Sequence, residues 1–262
     1  MDKHTPNDLT IRASDGFALA ASLFGGRRQK LPGALIIAGA VGNRRQNYAQ
    51  YAGYMAEQGW DVVTFDYRGI GGSKGPRDQM ASLRMFDCGA KDLAAIIDWV
   101  QGRLQPRRLV LVGHSIGGQV AAFAPNHHAL GGMVAIAAQR GYWPYWDGWR
   151  KYGVYLFWRL GVPLSLWARG CLALKAVGLE DLPRRVARDW ARWGLARDYH
   201  DEDGTSLEPH FARFTAPILA LGFSDDCSLA PPRAVDALFR GHCEGLAYEL
   251  VDSLRCLPLG FR

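Results

Sequence analysis

At 262 residues, 48% apolar and 21% charged, the chain is long enough to bury a full core and is neither disordered nor fibrous. Its net charge of +6 is local: residues 139–200 hold 11 of the 31 Lys/Arg, only 5 of the 25 Asp/Glu, and seven of the nine tryptophans. The five cysteines (Cys88, Cys171, Cys227, Cys243, Cys256) are scattered and form no Cys-x-x-Cys, which argues against a disulfide frame or a zinc site and for reduced thiols in a cytoplasm. Residues 1–10 are polar and lack the apolar core of a signal peptide. No apolar run reaches the ~20 residues a membrane helix needs; residues 152–167 come nearest and are interrupted by Arg159.

In chain order, residues 9–14 and 17–24 are strand-like runs around Ser14-Asp15-Gly16, a turn signal, and predict an antiparallel hairpin at a sheet edge. Residues 34–38, introduced by Pro32-Gly33, read as a buried strand. Tyr48, Tyr51, Ala52 and Met55 recur at helical spacing and predict a helix face. Residues 62–65 form the next strand, and Leu93, Ile96, Ile97 and Val100 the next helix face. A strand over 109–112, a helix over 119–124 and a strand over 133–138 follow. Beyond residue 200, strands over 218–221 and 246–251 flank a helix over 234–239. Strands alternating with helices mean βαβ units, hence a mostly parallel sheet with helices on both faces. The composition shift marks residues 139–200 as an insertion into residues 1–138 and 201–262. There is no internal repeat and no low-complexity tract.

The chemistry concentrates in residues 110–119, Val-Leu-Val-Gly-His-Ser-Ile-Gly-Gly-Gln. A short apolar strand runs into Gly113-His114-Ser115-Ile116-Gly117, and a helix-compatible segment begins at Ile116. A serine on a sharp strand-to-helix turn is strained, and glycines two residues to either side let neighbouring backbone pass close. Its hydroxyl projects above the sheet over a helix N-terminus that favours developing negative charge. Gly-x-Ser-x-Gly is a weak pattern in a chain with 31 glycines, where an ordinary Gly-rich turn is the alternative; after a strand and before Val120-Ala121-Ala122 it reads as a nucleophile elbow.

Gly39-Ala40-Val41-Gly42 ends the strand over 34–38. Such a loop can supply a second oxyanion amide beside that of Ile116, with Val41 as the candidate donor; a plain strand-to-helix turn is the other reading, since the His-Gly form of this loop is absent. Residues 66–73, Asp-Tyr-Arg-Gly-Ile-Gly-Gly-Ser, invite a phosphate-loop reading that fails, because Gly-Lys-Ser/Thr is missing and Ser73-Lys74 runs in the reverse order. A tight structural turn is expected there.

Together, residues 39–42, 66–73 and Gly-His-Ser-Ile-Gly-Gly at 113–118 resemble the α/β-hydrolase fold, and within it the serine-aminopeptidase and monoglyceride-lipase-like branch. The resemblance spans nearly the whole chain outside the insertion. It implies an α/β-hydrolase core with a helical cap at 139–200, and catalytic residues in the order Ser, Asp, His. The acid is expected just after the strand that follows the cap, in Gly222-Phe223-Ser224-Asp225-Asp226; Asp226 is favoured over Asp225, although one of the pair can serve only to shape the turn. The histidine is expected after the last strand, yet residues 252–262 contain none. Gly260-Phe261-Arg262 resembles the end of that branch's Gly-His-x-Gly-Phe-Phe-Arg-like tail and sets Pro258 about where the histidine belongs. His127, His128, His210 and His242 are expected at the opposite end of the sheet, His4 in a polar tail, and His114 pointing away from Ser115. His200, at the cap's exit, is the remaining candidate base.

Two functions follow. The first is a cytoplasmic serine hydrolase of an ester or amide with a lipid-like acyl group: Ser115 attacks, the Val41 and Ile116 amides hold the oxyanion, and Asp226 orients a base the sequence does not identify. The second is a catalytically impaired protein of the same fold that binds an acyl-bearing ligand or a partner through its cap. No metal or organic cofactor is implied. Nucleic acid is not an expected partner, since no binding motif accompanies the charge. Aromatic residues of the cap suit an acyl pocket, and its arginines suit peripheral contact with acidic substrates or anionic lipid; the plainer alternative is a cap whose tryptophans fill its own small core.

Overall fold

The structure is a computed structural model and describes residues 6–26, 31–239 and 246–251. Ten strands are described: β1 (Asn7–Arg12), β2 (Ala18–Phe24), β3 (Gly33–Ala38), β4 (Asp61–Phe65), β5 (Arg108–His114), β6 (Gly132–Ile136), the short β7 (Cys171–Leu172) and β8 (Leu182–Pro183), β9 (Ile218–Phe223) and β10 (Leu246–Val251). Eight of them form one sheet in the order β1-β2-β4-β3-β5-β6-β9-β10. The β1/β2 hairpin and the β2/β4 pair are antiparallel, and every other neighbouring pair is parallel. All residues of β3 and β4 are buried, as expected for central strands covered by helices on both faces. The hairpin turn closes through Ala13 N–H to Phe17 O and Gly16 N–H to Ala13 O, with Gly16 at φ +82°.

Apolar clusters lie on the two faces of the sheet. The larger joins Ile36, Leu111 and Ala135 to Leu93, Ile96, Ile97 and Val100 of the segment ending in the helix Ala94–Leu104. The smaller joins Leu35, Ile37, Val62 and Val112 to Ala52 and Ala56 of the helix Ala49–Glu57. Of the expected helix face, Ala52 is buried and Tyr48 and Met55 pack against the same cluster, whereas Tyr51 is corrected to the outside, at 42% exposed. Gly53 and Ala56 complete the buried face, and Tyr48 belongs to the preceding turn Arg45–Tyr48. Residues 66–73 fold as a tight turn, with Gly69 N–H on Ser73 O and Ser73 Oγ donating to Asp66 O.

Between β6 and β9 the chain is mostly helical: Arg150–Leu156, a wide turn Phe157–Gly161, Val162–Arg169, the β7/β8 ribbon and Arg184–Leu195. An ionic seam ties this segment to the sheet domain. Asp189, buried in the last of these helices, accepts from Arg84 Nε at 2.7 Å and Nη2 at 3.0 Å and from Met85 N–H at 3.1 Å. Arg84 also bonds Asp201 and Glu202. Removing one member of a buried pair strands the other. Asp189→Ala should therefore cost about 3–5 kcal/mol, seen as a lower urea midpoint at unchanged slope; a midpoint equal to the parent's would contradict the seam's role.

Candidate active site

The parallel register brings the functional loops to one edge. Ala38 of β3 pairs with Gly113 of β5, and His114 pairs with Ile136 of β6, which in turn pairs with Leu221 of β9. The loops after these strands therefore leave the sheet side by side. Ser115 sits between β5 and the helix Ile116–Val120 at φ +53°, ψ −116°. A non-glycine residue in such a conformation costs on the order of 1–3 kcal/mol and persists only where its surroundings fix it. They do so here. Ser115 N–H donates to Ile136 O at 2.9 Å, and Ser115 O accepts from Gly118 N–H at 3.1 Å. A Cβ on Gly117 would lie 2.2 Å from Ala38 O, and one on Gly113 2.7 Å from Gly118 backbone, so both positions require glycine. No side chain among the described residues hydrogen-bonds to Ser115 Oγ.

The loop after β3 is fixed at three points. Tyr48 Oη accepts the Ala40 N–H at 2.7 Å, Asn43 N–H donates to Ala40 O, and Gly42 O accepts from Glu180 N–H at 2.8 Å. With the Ala40 N–H engaged, the Val41 N–H has no acceptor among the described residues. Ile116 opens its helix, so its N–H has no intrahelical partner either. Ile116 is buried and shares a small void with Val41.

Ser115, Val41 and Asp226 line one cavity of about 540 Å³. Its upper wall is apolar and comes from residues 146–190, including Trp146, Val154, Phe157, Trp158 and Trp190. Asp226 lies three residues beyond β9, and its carboxylate folds its own loop, Oδ1 accepting from the Ser228 and Leu229 amides and Oδ2 from that of Ala230. Asp225 is exposed and does not line the cavity. The turn-shaping role weighed for this pair thus falls to the same aspartate that faces the cavity.

The structure does not bring His200 to Ser115. Its Nδ1 contacts Asp198 O at 2.9 Å, its carbonyl accepts from Trp193 Nε1, and it does not line the cavity. His127, His128 and His210 lie in an aromatic cluster with Phe86, Phe123 and Phe214. His4, His242 and Pro258 fall outside the described residues. His114 is the one histidine of the described residues in the cavity wall, and Tyr48 Oη lies 2.9 Å from its Nδ1. Burial lowers the pKa of the imidazole and raises that of the phenol. Tyr48 Oη accepts the Ala40 N–H; where its own proton is donated to Nδ1, His114 is the Nε2–H tautomer and offers Ser115 no proton-accepting nitrogen, and where Nδ1–H donates to Oη, Nε2 is the free acceptor.

Sequence reasoning missed Tyr48, Glu180 and Gln139. Gln139 lines the cavity and is fixed in a chain from Tyr199 Oη to Gln119 to Gln139 to Leu229 O. None of the three carries a local motif: Tyr48 reaches His114 across 66 residues and Glu180 reaches Arg44 across 136, so no spacing announces those contacts.

Comparison with known proteins now decides the family. The family model described as serine aminopeptidase, S33 matches residues 29–189, more than half of the chain. The chain belongs to the serine aminopeptidase S33 family. It is an α/β-hydrolase. The uncharacterized protein YfhR of Salmonella typhi is 30% identical over 125 residues, 45% of this chain and 40% of that protein. Lysophosphatidylserine lipase ABHD12 of Danio rerio is 32% identical over 91 residues, 34% of this chain and 22% of that protein. The chain thus spans less than half the length of these curated relatives. Among solved structures, a hydrolase from Pseudomonas aeruginosa PA01 superposes with a TM-score of 0.63 at 17% identity, covering 94% of this chain and 90% of that one. The esterase EaEST from Exiguobacterium antarcticum gives 0.59 at 14% identity, covering 93% and 90%. At these identities the likeness is one of fold. No helix among the described residues is long and apolar enough to cross a membrane.

In this S33 hydrolase the tautomer assignment is testable. A donor to Nδ1 stabilises neutral imidazole, so Tyr48→Phe should raise the His114 titration midpoint measured by NMR. A fall on the same substitution would mean that His114 donates to Tyr48 instead.

Proposed function

We propose that this S33-family chain is a serine hydrolase of acyl esters or amides. Ser115 Oγ is the nucleophile, the Val41 and Ile116 amides receive the oxyanion, Asp226 is the acid of the site, and residues 139–200 act as a lid whose aromatic side chains enclose the acyl group. The observation that carries the reading is Ser115 held at φ +53° on the floor of a 540 Å³ apolar-walled cavity that it shares with Val41 and Asp226. Geometry of this kind serves attack on a carbonyl: a hydroxyl on the cavity floor, Val41 and Ile116 amides without a described acceptor, and a largely apolar wall. Free thiols at Cys88, Cys171 and Cys227 support a reducing, cytoplasmic setting. The apolar wall supports a hydrocarbon-bearing acyl group, and the similarity to a lysophosphatidylserine lipase is in keeping with it.

A second reading, a catalytically weak hydrolase that binds its acyl ligand more than it turns it over, is favoured by one observation. Residues 252–262 contain no histidine, and the histidine in the cavity wall has its Nδ1 committed to Tyr48. Without a base, an oxyanion hole and binding retain only roughly 10³–10⁴-fold over the uncatalysed reaction.

A fluorophosphonate probe separates the proposal from an inert fold: labelling that disappears in Ser115→Ala supports a nucleophilic Ser115, whereas labelling that persists in that variant contradicts it. The base is tested by kcat/KM on p-nitrophenyl esters. Under the second reading the chain as it stands lies close to Ser115→Ala, and Pro258→His raises activity by orders of magnitude. Fast, Ser115-dependent turnover by the unaltered chain would mean that another group serves as base. Medium-chain esters should be preferred over acetate; equal turnover of acetate would count against an apolar acyl site.

A further inference from the structure

The outer face of residues 149–167 is covered by nothing else among the described residues. Trp149, Tyr152, Leu156, Leu160, Leu164 and Trp167 follow one another at steps of three or four along the helical run Arg150–Leu156, Phe157–Gly161, Val162–Arg169. All six are exposed, from 51% for Leu156 to 84% for Trp167. The opposite side of the same run is buried at Trp158, Val162 and Leu166. Single exposed apolar side chains are ordinary on a protein surface, but a continuous row of them is a contact surface.

Charge says what it contacts. From residue 148 to residue 179 there is no Asp or Glu, while Arg150, Lys151, Arg159, Arg169 and Lys175 lie in that span. Lys175 pairs with Asp181; the other four have no carboxylate partner among the described residues, and across the adjoining groove Arg188 is likewise exposed and unpaired there. A helix with an apolar row, tryptophans near its two ends and flanking cations without counter-charges has the composition of an element lying in the plane of an anionic membrane surface. Location says why. Val154, Phe157 and Trp158 of this run also line the Ser115 cavity, and two further lining residues, Val177 and Leu229, are more than 70% exposed. The apolar row is thus continuous with the rim of the cavity.

We infer that this run docks the protein on anionic bilayers and delivers lipid acyl chains from the membrane surface to the cavity, an inference that rests on the proposed acyl specificity for its purpose but not for its binding step. The apolar row enters the headgroup boundary, and Arg150, Lys151, Arg159, Arg169 and Arg188 hold phosphate or carboxylate headgroups beside it.

The test is co-sedimentation of the full chain, carried as Ser115→Ala so that no hydrolysis intervenes, with vesicles of phosphatidylcholine alone or mixed with phosphatidylserine. The expected result is binding to the mixed vesicles that weakens with salt. Leu160→Asp/Leu164→Asp, exposed positions whose change leaves the melting temperature in place, should reduce it at least tenfold. Arg159→Gln and Arg188→Gln should each reduce it about fivefold. Absence of binding to the mixed vesicles, equal binding by the double variant, or a dimer in solution that dissociates in the double variant and ignores vesicles would each overturn the inference, the last by making a second copy the occupant. The two proposals fail separately. Vesicle binding with no Ser115 labelling sinks the hydrolase reading alone, and Ser115-dependent ester hydrolysis without vesicle binding sinks the docking alone.

Discussion

The site hangs on the left-handed backbone of Ser115. That conformation is unfavourable for any residue with a Cβ, and four features of the core sustain it: the Ile136 carbonyl on its amide, the Gly118 amide on its carbonyl, and glycines 113 and 117 where neighbouring backbone leaves no room for a side chain. Parallel pairing of β3, β5, β6 and β9 then decides what Ser115 meets, because loops following parallel neighbours emerge at one edge of the sheet. Strain at a single residue and register across four strands together bring Ser115, Val41 and Asp226 to one cavity.

A second layer of contacts makes the loop after β3 depend on the helical segment above it. Gly42 O accepts the Glu180 amide, and the buried Glu180 carboxylate is held by Lys74 and Arg44, whose hydrogen bonds keep its pKa below the ordinary glutamate value against the opposing effect of burial. A folded-state pKa below the unfolded one means this pairing stabilises the protein above the ordinary glutamate pKa and loses that contribution as pH falls through the depressed value. Gly42 itself stands at φ +69°, and a Cβ there would lie 2.9 Å from Glu180 O. Any motion of the 143–195 segment that carries Glu180 away would therefore release the loop that bears Val41. On the other side Tyr48 fastens Ala40, and in doing so commits His114 Nδ1. The tyrosine that fastens the candidate oxyanion loop is the same one that occupies Nδ1 of the nearest histidine.

Much of this was legible in the residues. The central strands announce themselves as short apolar runs because both faces of a parallel sheet are covered, and the elbow is readable because strand, glycines and helix start fall in a fixed order around Ser115. Of the two aspartates proposed in the loop after β9, Asp226 lines the Ser115 cavity and Asp225 is exposed. What was misread has a common cause. Tyr51 was placed on the inner face of the helix Ala49–Glu57, whereas close packing on the sheet selected Ala52, Gly53 and Ala56. His200 was placed by chain position, whereas the turn linking it to Ser206 and the hydrogen bonds to Asp198 and Trp193 hold it off the cavity. Tyr48, Glu180 and Gln139 act across long sequence separations, and a one-dimensional pattern carries no trace of such contacts until the topology is known.

The central claim, that Ser115 and the Val41 and Ile116 amides form one reacting centre, is tested most directly by a crystal structure of the protein soaked with an alkylboronic acid. The account predicts a tetrahedral boronate bonded to Ser115 Oγ, its alkyl chain among Phe157, Trp158 and Trp190, and one boronate oxygen about 2.7–3.1 Å from both the Val41 and Ile116 nitrogens. A boronate bonded elsewhere, or one on Ser115 whose oxygens reach neither amide, would contradict it.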